Sequence, residues 1–164
     1  IQETNTKVGI NTHLTNKIVL DALQNNLIGE FDKDIKIQTE VPFGSHTRFD
    51  FLITKKNYKA FIEVKNVTLS RNKEVAEFPD AITTRGLKHI NELLKASRKG
   101  YEIFILFLIQ RDDCKYFKIA HDIDINYSNT LLKAVKKNLK ILCYDCKFYS
   151  KGIKLNKQVK IEIT

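Results

Sequence analysis

Residues 48–65 read RFDFLITKKNYKAFIEVK, and the fold follows from how this stretch is laid out. In 48–53, period-two alternation puts Phe49, Phe51 and Ile53 on one face of a strand and Arg48, Asp50 and Leu52 on the other. Residues 60–67 alternate in the same way, with Ile62 and Val64 on one side and Phe61, Glu63 and Lys65 on the opposite side. Between them, 54–59 carries Lys55, Lys56 and Asn57, a polar run suited to a hairpin turn. A hairpin that pairs the Asp50 face with the Glu63 face brings two carboxylates and one ammonium together.

The residue types point to a particular chemistry. A hard cation such as Mg²⁺ or Mn²⁺ is held by one or two carboxylates and keeps open positions for phosphate oxygens. Asp50 and Glu63 are the candidate ligands, with Glu40 as a further acidic candidate or else a solvated strand end. Lys65, on the same face as Glu63, is placed to orient or activate an attacking water, and the expected reaction is phosphodiester hydrolysis. Carboxylates are seldom set within aromatic and β-branched runs unless they are paired or metal-bound. The alternative is structural: a cross-strand salt bridge joining Glu63 or Asp50 to Lys65 or Arg48.

Composition supplies the context. The 164 residues suit one domain with a sizeable core, and 43% hydrophobic content is ordinary for a globular chain. Lysine and arginine number 28 against 19 acidic residues, a net charge of +9 with a pI near 9.4, which favours a polyanionic partner and nucleic acid first. The lysines are scattered, so a generally lysine-rich composition is the competing explanation. No segment has the length and continuous apolarity of a transmembrane helix, and no signal peptide opens the chain. The expectation is a soluble, cytoplasmic protein without a membrane partner. With no methionine and an opening of Ile1-Gln2-Glu3, the chain reads as part of a longer protein.

Three cysteines, Cys114, Cys143 and Cys146, fit a reducing compartment. The Cys143-x-x-Cys146 spacing invites a zinc reading completed by Cys114, His89 or His121. Residues 141–148 read as a strand, however, where a spacing of three sends the two thiols to opposite faces. Buried free thiols are expected.

Along the chain, 4–10 reads as a strand. A helix capped by Thr15 follows, with the stripe Ile18, Val19, Ala22, Leu23 and Leu27 and an end at Gly29. Residues 35–41 alternate as a strand, and 68–78 read as a polar loop. A second helix is expected from a cap at Asp80 to Gly100, and 101–109 is a nearly unbroken apolar run, the pattern of a strand buried on both faces. A short strand at 115–119, a helix at 129–138 and strands at 140–148 and 157–163 close the chain around a turn at Lys151-Gly152.

This order, with Asp50 and Glu63-Val64-Lys65 on adjacent strands, resembles the PD-(D/E)xK nuclease superfamily, whose core is a mixed β-sheet flanked by helices. Phe49 stands where that motif usually has proline. A resemblance covering almost the whole chain is to the sugar fermentation stimulation protein A (SfsA) family. It is carried by Val8-Gly9-Ile10-Asn11-Thr12, Asn16, Glu40, Gly44, 48–52 (RFDFL), 62–69 (IEVKNVTL), Phe78-Pro79-Asp80-Ala81, Arg85-Gly86, Lys88-His89, Gln110-Arg111 and Asp113. Thr15 and Ile119 depart from expected prolines. The resemblance implies a prokaryotic cytoplasmic protein with an OB-like N-terminal region, of which 1–10 is the end or linker, followed by a nuclease-like domain over 11–164. It also implies DNA binding and a regulatory role in sugar metabolism, notably of maltose. A homodimer is a further partner to test.

Among the family positions, Arg48, Arg85, Lys88 and Arg111 are the candidate phosphate contacts. Arg85, Lys88 and His89 lie three or four apart and share one helix face, either phosphate-binding or simply solvated. Arg111 is alternatively a partner for Asp113. Gly86 is expected to let its helix approach the sheet closely. No Gly-rich phosphate loop and no Gly-x-Ser-x-Gly motif is present, which argues against nucleotide-dependent and acyl-transfer chemistry.

Overall fold

The computed structural model describes residues 6–9, 11, 13–31 and 33–162. The chain begins with helix α1 (His13–Gln24) and strands β1 (Lys36–Phe43), β2 (Thr47–Lys55), β3 (Tyr58–Val67), β4 (Leu69–Asn72) and β5 (Val75–Phe78). It continues through helix α2 (Thr84–Arg98), strands β6 (Glu102–Ile109) and β7 (Tyr116–Ile119) and helix α3 (Ile125–Val135). Strands β8 (Leu139–Tyr149), β9 (Gly152–Gln158) and β10 (Lys160–Glu162) complete it.

The apolar run of β6 sits at the centre of the main sheet, whose order is β1-β2-β3-β6-β8-β9. Every residue from Ile103 to Ile109 is buried, because β6 pairs in parallel with both β3 and β8 and helices cover both faces. The outer pairs β1–β2, β2–β3 and β8–β9 are antiparallel, so the sheet is mixed. On one face α1 lays Ile18, Val19, Ala22 and Leu23 over Phe51, Ile62, Phe104 and Leu106. On the other, α2 and α3 bring Ile90, Leu93, Tyr127 and Leu131 against Phe49, Phe61, Ile105 and Phe107. Each fully buried leucine, isoleucine or phenylalanine contributes about 1.5–3 kcal/mol to these two layers. Among the described residues no helix is long and apolar enough to cross a membrane.

Several boundaries differ from the sequence reading. Residues 68–78 are not a loop: β4 and β5 form a hairpin in a second sheet of order β10-β7-β5-β4. Their polarity misleads because Glu77 is buried in an ion pair with Arg71, while Ala76 packs into the core. Helix α2 is capped by Thr83, whose Oγ1 accepts the Gly86 N–H at 3.0 Å, and Asp80 lies outside the first turn. Helix α3 starts at Ile125 because Asp124 accepts the Tyr127 N–H at 2.9 Å. The same Asp124 carboxylate takes the Thr83 N–H, also at 2.9 Å, and so ties the starts of α2 and α3 together. Thr15 lies inside α1, buried, and does not cap it.

The C-terminal strand divides, with β9 pairing to β8 and β10 to β7. Of the expected 4–10 strand, 4, 5 and 10 lie outside the described residues, and Val8 makes a single bridge to Arg111. The three cysteines are buried and free, with Cys143 in the α2/α3 layer and Cys146 in the α1 layer. That is the opposite-face placement a spacing of three on a strand requires.

Candidate active site

The site is made where β2 and β3 part company. Their register pairs Phe51 with Ile62 and continues toward the Lys56-Asn57 turn, but no pair lies beyond Phe51 in the other direction. In the fork, the Asp50 carboxylate replaces a strand carbonyl: its Oδ2 accepts the Val64 backbone N–H at 2.7 Å. Asn16 of α1 donates to Oδ1, also at 2.7 Å. Across from Asp50 the backbone of Glu40 is left-handed, with φ of 52°. The pleat is irregular here, and this corrects one expectation from strict alternation. Phe51 and Ile53 enter the α1 layer, whereas Phe49 crosses into the other layer and stacks on Phe61 with ring centroids 4.7 Å apart.

Glu63 lies on the next strand, 3% exposed, facing α2. Its Oε1 receives two donors, Lys65 Nζ at 2.6 Å and His89 Nδ1 in a shorter contact. Its Oε2 is buried and has no hydrogen-bond partner among the described residues. The two carboxyls respond differently to their surroundings. Burial pushes Asp50 up to about 6, with the Glu63 charge adding to the rise, while the Val64 and Asn16 hydrogen bonds and Lys65 only partly oppose it. For Glu63, burial also raises the pKa, but the His89 hydrogen bond and Lys65 outweigh it and hold the group below the ordinary carboxylate value.

Asp50, Glu63, Lys65, Glu40 and Arg85 line one cleft of about 490 Å³, together with His13, Asn16 and Lys17 of α1. The expected salt bridge is present in part: Lys65 pairs with Glu63 along one strand, and Asp50 has no ion-pair partner among the described residues. Glu40 is exposed at the rim, where its carbonyl accepts Arg48 Nη1 at 2.8 Å. No group of three or more His, Cys, Asp or Glu side chains converges on a metal-sized point among the described residues. Of the three carboxylates that line the cleft, Asp50 and Glu63 lie within it and Glu40 stands at its exposed rim. An orphaned buried Oε2 beside a carboxyl of raised pKa is a donor set short of positive charge, which fits one hard divalent cation keeping most of its waters.

Three of the basic candidates lie away from the cleft. Lys88 reaches the His46 carbonyl at 2.9 Å, in a neighbouring groove that it lines with Lys95, Arg98 and Lys99. Arg48 is held on the Glu40 backbone. Arg111 is committed to the protein, gripping both Asp113 oxygens at 2.9 and 2.7 Å and the Thr68 carbonyl at 3.0 Å. His89 does not share the exposed face of Arg85 and Lys88: it is 7% exposed and points at the sheet. The signal was in the periodicity, since Gly86, His89, Ile90, Leu93 and Ala96 form the buried stripe of α2. Asn16, the ligand of Asp50, lies 34 positions away and has no local signature.

A mixed parallel–antiparallel sheet with helices on both faces, and a strand-borne aspartate next to a Glu-x-Lys strand, defines a nuclease-like α/β fold of the PD-(D/E)xK type. The model of the sugar fermentation stimulation protein RE domain matches residues 13–152, and the chain belongs to the sugar fermentation stimulation protein family. It is 50% identical over 154 residues to the Pelagibacter ubique sugar fermentation stimulation protein homolog, covering 94% of this chain and 66% of that one. To the Bartonella tribocorum homolog it is 40% identical over 163 residues, covering 99% and 68%. The chain thus spans about two thirds of the length of the curated relatives it matches. The solved structure of Pyrococcus furiosus SfsA in complex with Ca²⁺ superposes with a TM-score of 0.88 at 27% identity, over 98% of this chain and 70% of that one.

Proposed function

We propose that the protein binds DNA and hydrolyses phosphodiester bonds with Mg²⁺ or Mn²⁺ held by Asp50 and Glu63. The observation that carries this reading is the Glu63 Oε2 atom, buried and without a hydrogen-bond partner among the described residues, in the cleft that Glu63 lines with Asp50 and Lys65. The Ca²⁺ in the Pyrococcus furiosus relative supports a hard divalent cation in this fold. Such a cation, when bound, neutralises charge on the phosphate and makes an attacking water more acidic. Lys65 supplies ammonium donors at the cleft edge, suited to holding that water. Asn16 and the Val64 N–H keep the Asp50 carboxylate pointing into the fork. Arg85, exposed on the cleft wall, is the cation best placed for a substrate phosphate, and the net charge of +9 favours a polyanion in general.

A second reading is a non-catalytic DNA-binding regulator of sugar metabolism. The 2.6 Å ion pair between Lys65 and Glu63 favours it, because a lysine so engaged also fits a purely structural pair. Cleavage of plasmid, single-stranded and branched DNA, with and without Mg²⁺ or Mn²⁺, separates the two. Metal-dependent cleavage that disappears in Asp50→Asn is the expected result. Binding of DNA without cleavage of any substrate under any metal selects the regulator.

A further inference from the structure

We propose that His89 is a positioning residue that decides which oxygen of Glu63 is offered to a divalent cation; this rests on the metal-site reading above. The geometry assigns the two oxygens unequally. A carboxylate only accepts, so His89 Nδ1 donates to Oε1, and Lys65 Nζ donates to the same atom at 2.6 Å. Both side-chain donors that reach Glu63 fall on one oxygen, and Oε2 is left buried without a hydrogen-bond partner among the described residues. With no fixed donor the two oxygens are equivalent by rotation about the last side-chain bond, and a lysine on a four-carbon stem can follow either.

His89 removes that freedom because its own position is set by the fold. It lies in the buried stripe of α2 beside Ile90, which is fully buried in the core. One turn earlier, Gly86 brings the helix against α3: a Cβ there would meet Thr83 Oγ1 at 2.8 Å and Tyr127 Cε2 at 3.0 Å. Tyr127 is itself fully buried. The imidazole therefore approaches Glu63 from an anchored helix, with only two side-chain torsions to fix. A His–carboxylate contact behind a metal ligand orients that ligand, and loss of such a contact costs about 10–100-fold in metal affinity or activity.

The test is calorimetric titration with Mn²⁺ of the full chain and of His89→Ala, His89→Asn and His89→Gln. The Asn amide nitrogen falls near the place of Nδ1 and donates from there, whereas the Gln amide falls near Nε2 and overshoots Oε1. His89→Ala and His89→Gln are expected to bind Mn²⁺ about 10–100-fold more weakly, and His89→Asn to recover most of the affinity. Cleavage by the weakened variants should return as Mn²⁺ is raised, a readout that a merely structural role would not give. Near-UV circular dichroism confirms the fold, and if His89→Ala does not fold, the Asn/Gln pair carries the comparison. Equal Mn²⁺ affinity in parent, His89→Gln and His89→Asn overturns the role of His89 while leaving the metal site standing. Absence of binding heat in the parent overturns both.

Discussion

Two pairs of acidic side chains in this molecule sit beside a basic residue, and they are built to opposite specifications. On the small sheet, Arg71 forks both Glu77 and Asp122: Nε and Nη2 reach Glu77 at 2.9 and 2.8 Å, and Nη1 and Nη2 reach Asp122 at 2.5 and 2.9 Å. All four carboxylate oxygens have a donor. The Arg71 hydrogen bonds hold Glu77 below its ordinary value and draw Asp122 down to about 2. At the main-sheet fork, Lys65 and His89 crowd one oxygen of Glu63, and Asp50, without an ion pair among the described residues, is pushed up to about 6 by burial and by its neighbour's charge. Every oxygen of the first pair already has a charged donor. The second lines a cleft and leaves Glu63 Oε2 without a partner among the described residues, the contrast on which the proposed metal site rests.

The sharpest way to break this comparison is kinetic. Lys65→Ala is expected to cut metal-dependent cleavage by about 10²–10⁴-fold while Mn²⁺ affinity stays near that of the parent. Arg71→Ala should lower the melting temperature and leave Mn²⁺ binding unchanged. A loss of Mn²⁺ binding in a folded Arg71→Ala protein would mean that the two centres are not independent.

A second experiment reads the opposite signs of the two pairs in stability against pH, with chelator present. The folded pKa of Asp50, about 6, lies above the ordinary aspartate value of 3.8, so the folded state holds more protons between those values. Metal-free stability should therefore fall as pH rises from about 4 to 6, by up to about 3 kcal/mol, and Asp50→Asn should remove that fall. For Glu77 and Asp122 the folded pKa is depressed. Their contribution is full above the unfolded pKa and is lost as pH drops through the folded values, and Arg71→Leu should flatten that acid limb. Denaturant titrations from pH 3 to 8 check both; an Asp50→Asn profile identical to the parent's would contradict the crowded-carboxylate description.

The smallest expected effect concerns how far the cleft's charge extends along α2. Arg85 lines the cleft, and Lys88 stands in the next groove on the His46 carbonyl. If both contact phosphates, Arg85→Ala/Lys88→Ala should flatten log affinity against log salt by nearly two contacts' worth, about 0.9 each for duplex or about 0.7 each for single strands. An unchanged slope in the folded double variant assigns this face to solvent.

Much of the architecture can be read along the chain, because strand patterns are local. The hairpin of β2 and β3 and the doubly buried β6 each follow from alternation or continuity along one segment, whereas Asp50 lies beyond the last β2–β3 pair, held by Asn16 of α1 while Glu63 faces α2. Also legible along the chain are the family resemblance and the set Asp50, Glu63 and Lys65, which do share a cleft. The β4–β5 hairpin has no such local pattern, because its polar side chains are paired across space. Arg71 meets Asp122 51 positions away, and no local pattern distinguishes that residue from one in a solvated loop. Phe49 lies in the layer opposite Phe51, next to a left-handed Glu40 backbone on the neighbouring strand, an irregularity that alternation along one strand does not reveal.

Residue identity and spacing were enough to place Asp50, Glu63 and Lys65 on adjacent strands at one cleft. Which oxygen has a donor was settled by groups remote in sequence. Asn16 reaches Asp50 over 34 positions, and His89 reaches Glu63 over 26. For Arg111 the sequence leaves phosphate contact and pairing with Asp113 both open, and folding selects Asp113, adding the remote Thr68 carbonyl. Covalent order sets the pleat and the hydrophobic period, whereas the satisfaction of a buried polar atom depends on whatever the packed layers bring within about 3 Å of it.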